Sequence, residues 1–114
     1  MSLKIGYVGL GALGTPMAIN LAKHAFANSF PPLTIWNRSK DRYAVVKEEV
    51  SDVTEAGEVE EAAQNCDVMF TCLLNETVAD ELYGRMLRAT KGRKVIFVDQ
   101  TTLSPKTSGV SRAH

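Results

Sequence analysis

Three glycines with a fixed spacing are the residues of this chain whose pattern most clearly points to chemistry. Gly9, Gly11 and Gly14 form a G-x-G-x-x-G pattern directly after a short apolar stretch at residues 3–8. In a strand-to-helix junction, the first glycine permits a tight turn, the second lets backbone approach a pyrophosphate, and the third lets the helix pack closely. The helix N-terminus also offers N–H groups to phosphates. The pattern therefore predicts a dinucleotide site formed by Gly9, Leu10, Gly11, Ala12, Leu13 and Gly14.

The residues after the second predicted strand indicate which dinucleotide this would be. Residues 36–39 read Trp-Asn-Arg-Ser, without the acidic residue that an NAD site usually holds there for the ribose hydroxyl. Arg38 can form charge-assisted hydrogen bonds to a 2′-phosphate, and Ser39 adds a further donor. Asp41 is interpreted as a helix-start charge rather than a ribose ligand. We therefore predict that NADP is preferred over NAD, and that Asn37, Arg38 and Ser39 contact it.

Apolar periodicity indicates strands that alternate with helices along the whole chain. The predicted strands are residues 3–8, 33–36, 50–54, 67–74 and 95–98, and the predicted helices are residues 12–27, 39–49, 59–64 and about 78–92. Pro16 falls in the first turn of a helix, where a missing N–H is tolerated. Ser39 is a predicted N-cap, and the apolar run at 67–74 predicts a strand buried on both faces. The alternation predicts an α/β fold: a Rossmann-type, doubly wound, mainly parallel sheet in a single domain.

Composition and charge exclude several classes of partner. The 114 residues include 13 basic and 13 acidic side chains, and this balance argues against a nucleic-acid binder. No apolar run approaches the roughly 20 residues of a membrane span, and the N-terminus lacks a signal-peptide core. We expect a cytoplasmic protein that does not bind membranes; a mitochondrial location stays open if the natural chain is longer. Cys66 and Cys72 lack zinc-site spacing and are interpreted as buried free thiols, with no metal site.

Four stretches of the sequence resemble one known family, the β-hydroxyacid dehydrogenases, which includes 3-hydroxyisobutyrate dehydrogenase and the glyoxylate/succinic semialdehyde reductases. Residues 9–24 (GLGALGTPMAINLAKH) are similar to its opening motif, and residues 36–39 to the Asn-Arg-Thr of NADP-using members. Residues 71–84 (TCLLNETVADELYG) resemble the stretch where the fourth strand meets the cofactor, and residues 98–108 (VDQTTLSPKTS) the substrate-binding motif. The four stretches occur in the family's order and cover almost the whole chain.

The resemblance implies further site residues. It places Thr101 and Thr102 against the substrate, and it adds to the cofactor contacts Leu73, Leu74, Asn75, Val78 and Thr102. Two positions depart from the family pattern, since Thr101 stands where serine is usual and Leu74 where proline is common. The 6-phosphogluconate dehydrogenases share the glycine pattern but carry Gly-Asn-Ser where this chain has residues 100–102, so they are the second alternative.

The family's catalytic group is expected outside this chain. In the family, a lysine of a second, helical domain donates a proton while hydride passes between the nicotinamide and a small hydroxyacid or aldehyde. None of Lys91, Lys94 and Lys106 occupies that motif, so no catalytic residue is assigned here. We expect residues 1–103 to form the dinucleotide-binding domain and residues 104–114 to be a connector to the absent domain.

Two hypotheses about the chain as a whole remain open. In the first, the chain is a truncated part of an NADP-dependent oxidoreductase. In the second, it is a stand-alone NADP-binding module that is catalytically incompetent. The tail at residues 104–114 has no helical pattern of its own, and this favours the first hypothesis. A lone domain would expose apolar surface that a second domain normally covers, so we also expect either self-association into homo-oligomers or modest stability.

Overall fold

The computed structural model of the protein describes residues 3–73 and 76–100. Helices and strands alternate in the order β1 (Ile5–Val8), α1 (Gly14–Ala27), β2 (Leu33–Trp36), α2 (Arg42–Glu49), β3 (Val53–Glu55), α3 (Val59–Gln64), β4 (Val68–Thr71), α4 (Glu76–Ala89) and β5 (Ile96–Asp99). The strands form one five-stranded sheet in the order β3-β2-β1-β4-β5, and every neighbouring pair is parallel. The predicted α/β fold with a doubly wound parallel sheet is confirmed.

Two hydrophobic cores lie on opposite faces of the sheet. Helices α1 and α2 cover one face, where Tyr7 of β1 packs with Ala18 and Val46. Helices α3 and α4 cover the other face, where Val8 packs with Leu82. Consecutive residues of a strand point to opposite faces, so β1 contributes to both cores. Strands of a parallel sheet are stabilised in this way when helices cover both of their faces.

The order of the strands reverses direction at β1, and this reversal sets the place of the site. The chain moves from β1 outward to β2 and β3, and then returns to place β4 and β5 on the other side of β1. In the register, Val8 is level with both Trp36 and Thr71, so β1, β2 and β4 end side by side. Ligands of open parallel sheets bind outside the carboxyl ends of the strands at such a reversal.

The start of α2 differs from the prediction. Ser39 is not its N-cap, because α2 begins at Arg42 and its N-cap is Asp41, which makes no side-chain capping bond. The carbonyl of Ser39 instead accepts hydrogen bonds from the Arg42 N–H at 3.3 Å and from the Asn37 side-chain amide at 2.9 Å. Residues 39–41 therefore form a turn, and the helix can begin only after it. Asp41 consequently lies just before the first turn of α2 and not within it.

Other predicted bounds agree with the structure to within a few residues. The bounds of β2 and α3 coincide with the predicted ones. Helix α1 begins at Gly14 rather than at residue 12, and Pro16 lies in its first turn as predicted. A difference of one or two residues at a helix end is ordinary, since terminal turns lack the full set of backbone hydrogen bonds.

The prediction that β4 is buried on both faces is wrong for one of the faces. Met69 and Thr71 are buried, whereas Val68 and Phe70 on the other face are half-buried. Phe70 packs at the margin of the α1–α2 core, stacked beside Tyr7 with ring centroids 6.3 Å apart. A continuous apolar run does not reveal how far the covering helices extend over each face.

The helices are short compared with a lipid bilayer. Helices α1 and α4 have 14 residues each, whereas crossing a bilayer takes roughly 20 apolar residues. In the part of the chain that the structure describes, no helix combines the length and the apolar character needed to span a membrane.

Candidate functional site

A cleft of about 380 Å³ opens at the carboxyl ends of β1, β2 and β4. Its walls are the loops that follow these strands, together with one face of α4. The structure brings to these walls the following predicted cofactor residues: Gly9, Leu10, Gly11, Asn37, Arg38, Ser39, Leu73 and Val78. Residues that are distant in the sequence therefore meet at the place where this kind of sheet binds its ligands.

Three predicted residues that the structure describes, Ala12, Leu13 and Gly14, do not line this cleft. Ala12 and Leu13 are exposed and precede α1, and Gly14 is buried at the start of that helix. The other predictions lie outside the described residues: Leu74, Asn75, Thr101, Thr102 and the connector at residues 104–114.

The three glycines of the pattern are required for different reasons. Gly9 has a φ of +104°, and a Cβ at this position would collide with the carbonyl oxygen of Cys72. A Cβ at Gly14 would collide with the carbonyl oxygen of Gly9, so this residue lets α1 approach the end of β1. At Gly11 a Cβ would meet no atom of the residues that the structure describes within 4 Å. The fold thus requires Gly9 and Gly14, whereas Gly11 leaves backbone open to the cleft, as a bound phosphate group would need.

The loop after β1 is fastened to the loop after β2 by two hydrogen bonds. The N–H of Gly9 donates to the carbonyl of Trp36 at 3.0 Å, and the N–H of Leu10 donates to Oδ1 of Asn37 at 2.8 Å. The side-chain amide of Asn37 also donates to the carbonyl of Ser39. Asn37, which the sequence predicts as a cofactor contact, therefore holds the glycine loop in place.

Arg42 is a residue of the site that sequence reasoning missed. Its Nε donates to the carbonyl of Leu10 at 2.9 Å, and its Nη2 donates to the hydroxyl of Thr15 at 3.1 Å. The Thr15 hydroxyl donates to the same Leu10 carbonyl at 2.8 Å. The first residue of α2 thereby ties the loop after β1 to the first turn of α1. No local pattern could have revealed this contact, because the partners lie 32 residues apart.

Tyr43 is a second residue that the sequence did not single out. Its hydroxyl donates to the carbonyl of Ala56 at 2.9 Å and accepts from the N–H of Asn37 at 3.3 Å. The ring is buried in the α1–α2 core. Tyr43 thus fixes the direction in which the chain leaves β2, and with it the position of the residues that follow.

The cations after β2 have distinct positions. The ammonium of Lys40 lies 4.7 Å from the centroid of the Trp36 ring and donates to the carbonyl of Asn37 at 3.1 Å. Arg42 is held by the glycine loop, as described above. The side chain of Arg38 is 60% exposed at the mouth of the cleft, and its Nη2 lies 3.2 Å from Oε1 of Glu81 in α4. Arg38 and Arg42 both line the cleft, and Arg38 is the more exposed of the two.

Burial keeps the Cys72 thiol and the Tyr7 hydroxyl protonated at neutral pH. Burial raises the pKa of the Cys72 thiol, which lines the cleft and is half-buried rather than fully buried as predicted. Burial also raises the pKa of Tyr7, whose hydroxyl donates to Oε1 of Gln100 at 2.8 Å. Cys66 is buried as predicted, and burial raises its pKa too.

Comparison with known families decides what kind of site this is. The family model for the NAD binding domain of 6-phosphogluconate dehydrogenase matches residues 4–113 of the chain. The chain belongs to this family. The domain accordingly binds a nicotinamide dinucleotide, and the cleft beside the glycine loop has the position and the open backbone that such a ligand needs.

Two curated relatives of the domain are named as dehydrogenases. The chain is 33% identical over 110 residues to 2-(hydroxymethyl)glutarate dehydrogenase of Eubacterium barkeri, covering 94% of this chain and 34% of the relative. It is 33% identical over 106 residues to mitochondrial 3-hydroxyisobutyrate dehydrogenase of Drosophila melanogaster, covering 89% of this chain and 29% of the relative. The chain thus spans about a third of the length of these relatives.

A solved structure shares the fold. Mycobacterium tuberculosis 3-hydroxyisobutyrate dehydrogenase, determined with L-serine, superimposes with a TM-score of 0.73 at 24% identity. The match covers 91% of this chain and 33% of that chain. This structure shows the fold, and the family model together with the two relatives at 33% identity confirms the resemblance found in the sequence.

Proposed function

We propose that the domain binds NADP(H) in preference to NAD(H), and that Arg38 recognises the 2′-phosphate. The observation that carries this proposal is the exposed guanidinium at the cleft mouth, directly after β2. Charge-assisted hydrogen bonds between arginine and phosphate are strong and frequently bidentate, so a guanidinium at this position favours the phosphorylated ribose. Ser39 lines the same wall and adds a hydroxyl donor.

The other residues of the cleft would hold the rest of the dinucleotide. Gly11 leaves backbone open for the pyrophosphate, and Asn37 and Arg42 keep that loop in one conformation. Val78 and Leu82 give the α4 wall an apolar surface suited to an adenine ring. When bound, the reduced nicotinamide supplies a hydride, and the protein's part is to bind and orient it.

We propose further that the domain serves an oxidoreductase acting on a small hydroxyacid or aldehyde. This proposal is supported by two relatives named 2-(hydroxymethyl)glutarate dehydrogenase and 3-hydroxyisobutyrate dehydrogenase, of whose length the chain spans about a third. In the proposed division, residues 1–103 bind the cofactor and residues 104–114 lead to a helical domain that carries the catalytic lysine. Thr101 and Thr102 would contact the substrate, and Thr102 also the nicotinamide. The proton needed at the carbonyl oxygen would come from that lysine, because this chain supplies no assigned catalytic residue.

The cofactor preference can be measured directly on the 114-residue chain. Its single tryptophan, Trp36, lines the cleft, so its fluorescence should report occupancy. Titrations with NADPH and NADH, repeated by calorimetry, should give the tighter binding for NADPH. Arg38→Ala should weaken NADPH binding by about 1.5–3 kcal/mol, the scale of a hydrogen bond to a charged group, and leave NADH nearly unchanged.

A control variant and two outcomes sharpen this test. Lys23→Ala removes a similarly exposed cation whose partner is Glu49, away from the cleft, and should change neither affinity. An equal loss for both dinucleotides in Arg38→Ala would reject the phosphate assignment. Tighter binding of NADH, weakened by Asp41→Asn, would instead identify Asp41, which also lines the cleft, as a ribose ligand.

A further inference from the structure

An ion pair crosses the mouth of the cleft. Arg38, from the loop after β2, meets Glu81 of α4 with Nη2 and Oε1 3.2 Å apart. Val78 and Leu82, one turn before Glu81 and next to it, line the cleft. Residues three or four apart share a helix face, so Glu81 lies on the side of α4 that borders the cleft. The pair therefore connects the loop after β2 with α4 across the entrance of the proposed cofactor site.

Because Glu81 pairs with Arg38, its carboxylate would compete with the 2′-phosphate for the Arg38 guanidinium. Both side chains of the pair are more than half exposed, and exposed ion pairs of this kind are weak. A phosphate that contacts Arg38 would come close to the Glu81 carboxylate, and like charges at such distances repel each other. The other cations after β2, Lys40 and Arg42, donate to the carbonyls of Asn37 and Leu10, whereas the Glu81 carboxylate pairs with Arg38.

We propose that Glu81 is a specificity-determining residue that reduces the preference of the domain for NADP(H) over NAD(H). Its carboxylate forms an ion pair with the guanidinium of Arg38 and repels the 2′-phosphate, so it weakens the binding of that phosphate. NAD(H) carries a neutral hydroxyl at that position, so its affinity is nearly independent of Glu81. This inference rests on the proposed function, in which Arg38 contacts the 2′-phosphate.

The direct test is Glu81→Gln, which keeps the size of the side chain and removes its charge. We expect this variant to bind NADP⁺ about three- to tenfold more tightly at low salt, and to bind NAD⁺ within about twofold of the original affinity. The gain should shrink as salt is added, since exposed charges are screened. The same difference should appear between adenosine 2′,5′-bisphosphate and 5′-AMP, which differ only in the 2′-phosphate.

The chain offers a closely matched control. Glu49 at the end of α2 forms an exposed ion pair with Lys23, and its side chain is 56% exposed compared with 53% for Glu81. Glu49→Gln makes the same change in net charge at a position that does not line the cleft. It should leave both dinucleotide affinities unchanged. An equal gain in Glu49→Gln and Glu81→Gln would mean that net charge alone is responsible, and would overturn the inference.

The remaining outcomes separate this inference from the proposed function. If Arg38→Ala selectively weakens NADP⁺ binding but Glu81→Gln leaves the NADP⁺ to NAD⁺ ratio unchanged, the inference fails and the proposed function stands. If Arg38→Ala does not discriminate between the two dinucleotides, the phosphate assignment and the inference both fail. A change of equal size for NADP⁺ and NAD⁺ in Glu81→Gln also overturns the inference, because it would show an effect on the cleft as a whole.

Discussion

The glycine loop and the mouth of the cleft are built in opposite ways. The loop after β1 is held by backbone and part-buried bonds from Trp36, Asn37 and Arg42. The mouth is held by an exposed ion pair between Arg38 and Glu81. If one hydrogen bond to the loop is lost, the other hydrogen bonds still hold it. If either charge at the mouth is lost, the ion pair is lost with it.

This difference separates affinity from selectivity. Every nicotinamide dinucleotide has a pyrophosphate, so a rigid loop of fixed geometry can serve any of them. The 2′-position distinguishes the dinucleotides, and exposed side chains there can be exchanged at little cost in stability because surface substitutions are usually nearly neutral. We therefore expect changes in the loop to affect folding or the binding of both dinucleotides, and changes at the mouth to affect their ratio.

The largest effect is expected at Gly14. Gly14→Ala should lower the free energy of unfolding by about 3 kcal/mol, because the new Cβ collides with the carbonyl oxygen of Gly9. Urea denaturation measures the change. Gly84→Ala is the matched control, since among the described residues its Cβ would meet the flexible end of Arg88 alone within 4 Å, at 3.4 Å. That variant should be as stable as the original or up to about 1 kcal/mol more stable, because alanine favours helix. Equal stability of the two variants would contradict the close packing inferred for Gly14.

Gly11→Val should affect binding without affecting the fold. The side chain enters open space, so the midpoint of thermal unfolding should stay within a few degrees of the original value. The branched side chain would keep a pyrophosphate from the backbone, and NADPH and NADH should both bind at least about a hundredfold more weakly, a loss of roughly 3 kcal/mol. Titration by Trp36 fluorescence measures this. Unchanged affinity would show that the glycine pattern serves the turn alone.

Arg42→Met should have an intermediate effect that does not discriminate between cofactors. The variant keeps much of the side-chain length but loses the hydrogen bonds to Leu10 and Thr15. Both dinucleotides should bind about 1–2 kcal/mol more weakly, since the loop is less firmly held. Arg38→Ala provides the comparison, because it should affect NADPH alone. A selective loss of NADPH binding in Arg42→Met would show that Arg42 contacts the phosphate itself.

The smallest effect concerns the reactivity of Cys72. A raised pKa means that less of the thiol is ionised at any given pH, and the thiolate is the form that reacts. Alkylation by iodoacetamide should therefore be slow at pH 7, and its rate should still rise above pH 9, the ordinary pKa of the thiol. Bound NADPH should slow the reaction, because Cys72 lines the cleft.

The variant Cys72→Ser tests whether the alkylation measured in that experiment occurs at Cys72. Cys66 is fully buried and should stay unmodified in the folded protein, so Cys72→Ser should show almost no alkylation. Rapid reaction of the original protein at pH 7, with no protection by NADPH, would place the Cys72 thiol outside the proposed site.

The sequence alone determined the features that depend on neighbouring residues. The glycine pattern marked the junction of β1 and α1, and the short apolar runs located β2 and α3 at their observed bounds. Alternation of strands and helices indicated the doubly wound sheet. Each of these follows from local periodicity or from the conformational freedom of a single residue, and both can be read along the chain.

The tertiary structure decided what joins the parts of the site. The contacts from Asn37 and Arg42 to Leu10 span 27 and 32 residues, and the pair of Arg38 with Glu81 spans 43. These long-range contacts depend on strand order and register, which bring distant residues to one edge of the sheet, and no local pattern encodes them. The failed prediction of Ser39 as an N-cap has a different, local origin, because its near neighbours Asn37 and Arg42 bond to its carbonyl in a turn that precedes the helix.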